Sequence, residues 1–201
     1  HMKNMIFNIL LALALAAAFP AVAENPKVLM ETSVGNITLE LDAEKAPKTV
    51  KNFLTYVDEG FYAGTVYHRV IDGFMIQGGG FTPELEKKDT HASVENEADN
   101  GLKNLRGTLA MARTNQPHSA TAQFYINLVD NGMLDFREKN RRGWGYCVFG
   151  KVIDGMDVVD KIAKATTTTK TSPIGMPMRD VPIEPPVITK VSRIDTGADS
   201  K

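Results

Sequence analysis

The sequence predicts a mostly β protein: a closed or nearly closed antiparallel barrel capped by two α-helices. Three observations carry that expectation. Short strand-like apolar runs recur along the chain, only two stretches have helical periodicity, and many short strands are economical only when their edges close on one another.

Taken in order, residues 27–33 (KVLMETS) and 36–42 (NITLELD) alternate apolar and polar residues around Val34-Gly35, the pattern of a hairpin with one buried face. Pro47 opens a helix whose Val50, Phe53, Leu54 and Val57 fall on one side, and Gly60 stops it. Strand-like runs follow at 66–71, 74–79, 107–112, 123–128 and 147–152. A second amphipathic helix fits 156–165, and 186–191 supplies a closing strand. The stretches 81–105 and 113–122 are long and irregular, which in a compact domain points to functional or mobile loops. Thr166–Thr169 and the proline-rich 173–186 read as surface loop and linker, and 197–201 as a loose tail.

At 201 residues with 43% hydrophobic content, the chain has the size and composition of one folded domain, here assigned to 24–196. A formal net charge of −1 with interspersed signs argues against an electrostatic nucleic-acid binder. The one dense basic run, Arg137, Lys139, Arg141 and Arg142, reads as a solvated loop. Cys147 is the sole cysteine, so an internal disulfide is impossible; in a strand-like run it reads as a small buried hydrophobe.

The first 23 residues read as processing signals. His1-Met2 resembles a tag scar, Lys3 supplies a positive start, and MIFNILLALALAAAF leads to Ala21-Val22-Ala23. A secretory leader cleaved after Ala23 fits this pattern, because the apolar run of about 15 residues is shorter than the ~20 that span a bilayer. The expectation is an exported, periplasmic protein that is not inserted in the membrane.

The stretch 66–80 (VYHRVIDGFMIQGGG) holds an imidazole, a guanidinium, an amide, large apolar groups and three consecutive glycines. It has no Ser or Cys nucleophile and no carboxylate pair, so covalent catalysis has little to work with. The glycines follow a strand without the Lys-Ser/Thr of a phosphate loop, and close backbone packing is the plainer role. His68, His91 and His118 lack ligand spacing, so no metal or other cofactor is implied. Strand alternation puts Tyr67, Arg69 and Ile71 on one face and His68 and Val70 on the other, which makes His68 a hydrogen-bonded core histidine pointing away from Arg69.

YHRVIDGFMIQGGGF, GTLAMAR, ATAQFYINL, MLD and YCVFGKVIDGMDVVDKI resemble, in order and spacing, the cyclophilin-type peptidyl-prolyl cis-trans isomerases, from about Lys27 to Ile194. The leader and the AMART segment are most similar to the bacterial periplasmic branch. The resemblance implies an eight-stranded barrel with two capping helices, and polypeptides with X-Pro bonds as substrates. It implies Arg69 and Gln77 as catalytic residues, with Arg69 the donor, and Phe74, Met75, Ala112, Arg113, Gln123, Tyr125, Met133, Leu134 and Tyr146 contacting substrate. Tyr125 stands where Phe is more usual, Arg113 replaces an Asn, Tyr146 replaces a His, and Met133 stands where many eukaryotic members carry Trp. That Trp goes with tight cyclosporin binding, so weak binding is implied here. For isolated apolar residues barrel core is the plain reading; Arg69 and Gln77 at family spacing turn it toward a site. The other reading is a chaperone module that holds proline segments with little turnover. A monomer is expected.

Overall fold

The computed structural model describes residues 23–195; the expected leader through Val22 and the tail at 197–201 lie outside the described residues. Ten strands and two helices follow in the order β1 (Lys27–Thr32), β2 (Gly35–Leu41), α1 (Pro47–Asp58), β3 (Thr65–Ile71), β4 (Met75–Gly78), β5 (Thr108–Met111), β6 (Phe124–Asn127), β7 (Val148–Asp154), α2 (Met156–Ala163), β8 (Thr167–Thr171), β9 (Pro177–Pro182) and β10 (Val187–Ile194). Eight of the strands close into an antiparallel barrel in the order β1-β10-β3-β4-β6-β5-β7-β2. The last strand bridges the first and third, so no edge of the barrel is left open.

Alternation along each strand decides what fills the barrel. Val28 and Met30, Ile37, Leu39 and Leu41, Phe124 and Ile126, and Phe149 all point inward and are fully buried. Helix α1 lays Val50, Phe53, Leu54 and Val57 against this core, and Phe53 meets the rings of Tyr62, Phe124 and Phe149 at 5.2–5.9 Å. Its first turn has no side-chain cap of its own. Glu97, from the long loop before β5, accepts hydrogen bonds from the backbone N–H groups of Lys48 (3.2 Å) and Thr49 (2.7 Å). The carboxylate thereby satisfies orphan donors and meets the positive end of the helix dipole. Helix α2 buries Val159 and Ile162 on the same core.

Two expectations need correction. The segments at 166–169 and 173–186 are not loop and linker throughout: β8 and β9 pair as a separate two-stranded hairpin, which packs along β3. In β3 itself the register slips between Tyr67 and Arg69, so strict alternation fails there. Tyr67 joins the barrel core, and Arg69 lies on the opposite, outer face. The basic residues at 137–142 are exposed, and Cys147 is buried with its thiol pushed up to about 12, chiefly by burial.

Candidate active site

Four strands present one transverse row on the outside of the barrel. Arg69 on β3 is opposite Gln77 on β4, Gln77 is opposite Tyr125 on β6, and Tyr125 is opposite Ala110 on β5. The inward partners of the same strands, Ile76, Ile126 and Leu109, belong to the core. The β3 bulge is what brings Arg69 into this row while leaving Tyr67 inside.

Next to the row is a small apolar cluster distinct from the main core. Met75, Ala110, Tyr125 and Val148 form its buried floor, and Ile71, Phe74, Leu102, Ala112, Leu134 and Tyr146 pack around them. Tyr146 meets Tyr125 edge to face, with ring centroids 6.0 Å apart. The floor is braced from below by polar groups. The Tyr125 hydroxyl donates to Asn104 Oδ1 at 2.7 Å, and Asn127 and Asn131 extend the chain to the carbonyl of Phe74. Burial, first of all, holds the Tyr125 hydroxyl well above its ordinary pKa, so it stays a neutral donor. Sequence reasoning missed Asn104, Asn127 and Asn131. The signal was an Asn inside the apolar strand FYINL, because a fully buried amide requires partners.

The polar side of the row is equally ordered. Gln77 Nε2 donates to Gln123 Oε1 at 3.0 Å. The N–H of Ala112 donates to the Gln123 carbonyl at 3.0 Å, which leaves the Ala112 carbonyl as the acceptor on that edge. Arg113 is already engaged: its Nε donates to the Gly145 carbonyl at 2.9 Å and its guanidinium lies 4.4 Å over the Tyr146 ring. Among the described residues the Arg69 guanidinium has no hydrogen-bond or ion-pair partner. Met133, in the single helical turn Gly132–Leu134, is 69% exposed and stands outside the apolar cluster.

The glycines earn their place by close approach. A Cβ on Gly80 would fall within the Gln123 side chain, and Gly79 has φ +83° with Phe124 and Tyr62 rings 2.7–2.9 Å from where a Cβ would stand. His68 departs from its expected state. It is 5% exposed with its ring tilted 54° against Phe81 at 4.6 Å, its Nδ1 has no hydrogen-bond partner among the described residues, and it borders one recess together with Arg69. Burial, then the adjacent Arg69 charge, lowers its pKa to about 4, so it is neutral beside the guanidinium. Among the described residues no three His, Cys, Asp or Glu side chains converge as a metal site.

The family model described as cyclophilin type peptidyl-prolyl cis-trans isomerase/CLD matches residues 27–192. The chain belongs to that family. Peptidyl-prolyl cis-trans isomerase B of Escherichia coli (strain K12) is 57% identical over 157 residues, covering 78% of this chain and 96% of that protein. Peptidyl-prolyl cis-trans isomerase A of Dickeya dadantii (strain 3937) is 50% identical over 188 residues, covering 92% and 95%. A crystal structure of a Cryptosporidium parvum cyclophilin type isomerase superposes with a TM-score of 0.71 at 27% identity, over 86% of this chain and 99% of that one. The cyclophilin barrel and the isomerase activity of this chain follow from these matches, and Arg69, the apolar cluster and the paired glutamines lie together on its outer wall.

Proposed function

We propose that Arg69 donates a hydrogen bond to the prolyl nitrogen of a bound X-Pro segment as its amide twists. In this reading Phe74, Met75, Tyr125 and Leu134 hold the proline ring, and Gln77, Gln123 and the Ala112 carbonyl hold the substrate chain. The observation that carries it is a guanidinium with no partner among the described residues, in register with Gln77, at the border of an apolar cluster with a braced floor.

The chemistry follows from amide resonance. Rotation must break partial double-bond character, a barrier of roughly 18–20 kcal/mol. In the twisted state the nitrogen becomes pyramidal and regains a lone pair that the planar amide does not offer. A donor fixed at that nitrogen therefore binds the transition state more strongly than the ground state, which is the requirement for catalysis. The twisted amide is also less polar than the planar one, so an apolar site that excludes water favours it further. One such donor contributes about 3–4 kcal/mol, or a factor of roughly 10² to 10³, and desolvation and chain fixation supply the rest. No proton changes hands.

The leader supports export, with unfolded X-Pro-containing chains of the periplasm as substrates; cleavage after Ala23 is the corresponding expectation. Exposed Met133, where a Trp would offer a larger face, favours weak cyclosporin binding.

Exchange spectroscopy on an Ala-Pro peptide across about pH 5.5–9 tests the mechanism. The proposed step moves no proton and His68 is neutral throughout this range, so catalysed exchange is expected to be flat. A bell-shaped profile would instead require an acid and a base, and would overturn it.

A further inference from the structure

The hairpin of β8 and β9 shapes a second feature that X-Pro rotation does not use. Its tip, Ser172-Pro173-Ile174-Gly175, is a tight turn: the Gly175 N–H donates to the Ser172 carbonyl at 2.9 Å, and Gly175 has φ +82°. Ser172 also exchanges hydrogen bonds with Met176, through its own N–H to the Met176 carbonyl (2.9 Å) and through its Oγ from the Met176 N–H (3.1 Å). Proline and glycine at these positions suit such a turn. The turn is ordered, yet it holds Ile174 81% exposed and Met176 60% exposed. Two large apolar groups fixed in water on a braced turn are unfavourable for the isolated protein and call for an occupant.

Beneath them lies a cavity of about 670 Å³, bordered by Phe81, Leu85, Gln123, Pro173, Met176 and Met178. The bank opposite the hairpin is also built. Phe81 and Lys87 form a β-bridge, and the Leu85 N–H donates to the Thr82 carbonyl at 2.9 Å. Its charges, Glu86 and Lys87, are of opposite sign, so the rim selects neither acidic nor basic ligands. The trough is continuous with the catalytic face: Phe81, Gln123 and Met178 border both it and the recess that contains His68 and Arg69.

We infer that this trough is a second substrate subsite, which takes an apolar side chain of an extended client polypeptide a few residues from the bond that turns. The inference rests on the assignment of Arg69 and Gln123 to the substrate face. A chain held at Arg69 passes Gln123 to reach the trough, and a preformed apolar cavity of this size accommodates a large side chain without rearrangement. The consequence is selectivity for unfolded segments in which a hydrophobic residue lies near proline, over short or wholly polar X-Pro peptides.

The test compares a short Ala-Pro peptide with a series of longer Ser/Gly peptides carrying one Leu at successive positions on either side of the proline. Catalysed exchange is measured for each, together with the methyl resonances of Ile174 and Met176. At the matching position, Leu is expected to lower KM by about tenfold and to shift those methyls. The Ile174→Ser/Met176→Ser double variant, altered only at exposed side chains, is expected to lose that gain while turning over the short peptide within about twofold of the parent rate; Ile174→Leu retains the gain. The inference is overturned if no Leu position matters, or if the double variant keeps the preference. It is also overturned if Ile174 and Met176 prove to hold two copies together, with self-association lost in the variant and peptide preference unchanged. Failure of the underlying assignment looks different: Arg69→Ala would leave exchange of the short peptide at the parent rate, which removes the anchor and the inference with it.

Discussion

At the scale of single residues the site depends on atoms kept uncommitted beside atoms firmly tied. Arg69 has no partner among the described residues, whereas Gln77 and Gln123 are bonded to each other and Arg113 is tied to Gly145. Gly80 allows this, because its missing Cβ is the space the Gln123 side chain fills. Gly80→Ala is therefore expected to push Gln123 off Gln77 and raise KM for an Ala-Pro peptide about tenfold, at a stability cost of about 1–2 kcal/mol. Peptide kinetics beside urea denaturation would check both numbers; unchanged KM would mean that Gln123 does not hold substrate. The residue types at the site were legible in the sequence, through the motif around Arg69 and Gln77. The state of His68 was not. A histidine inside an apolar strand reads as a satisfied core group, and its unpartnered Nδ1 depends on a bulge and on Phe81 from a loop.

At the scale of elements, periodicity located both helices and the barrel strands but could not register the β3 bulge. One extra residue moves Tyr67 to the core and reverses the face assigned to it, and nothing in TVYHRVI marks where the slip occurs. The β8–β9 hairpin did leave a signal. A run with four threonines in five residues, Thr167–Thr171, precedes Ser-Pro-Ile-Gly, and strand, turn and strand were obscured by prolines at 173, 177 and 182. Proline is tolerated there because this two-stranded sheet consists entirely of edges. Just beyond β4, Gly79 lets the chain leave the barrel at φ +83° between the Phe124 and Tyr62 rings. Gly79→Ala combines backbone strain with overpacking, so a loss of about 3 kcal/mol is expected in urea denaturation. A loss below ~0.5 kcal/mol would show that neither constraint is real.

At the scale of the whole molecule, closure was legible because eight short strand-like runs and two helical stretches leave few other ways to hide edges, and the family resemblance implied the eight-stranded barrel that the structure closes. The barrel wall gives the site its rigidity and also buries a histidine. His68 titrates near 4 when folded and near 6.5 when unfolded, so the unfolded chain binds the extra proton as the pH falls through that window. Stability is then full above about pH 6.5 and declines toward pH 4, by about 3 kcal/mol from this group. In urea titrations His68→Gln should flatten that limb; an unchanged acid limb would assign it to carboxylates. On this wall one guanidinium is proposed to bind the twisted amide in preference to the planar one. The most direct test is Arg69→Ala, with Kd for an Ala-Pro peptide and catalysed exchange measured in the same samples. Kd within a few-fold of the parent and exchange slower by about 10² to 10³ are expected. Exchange at the parent rate, or a rate loss matched in full by weaker binding, would contradict that preference.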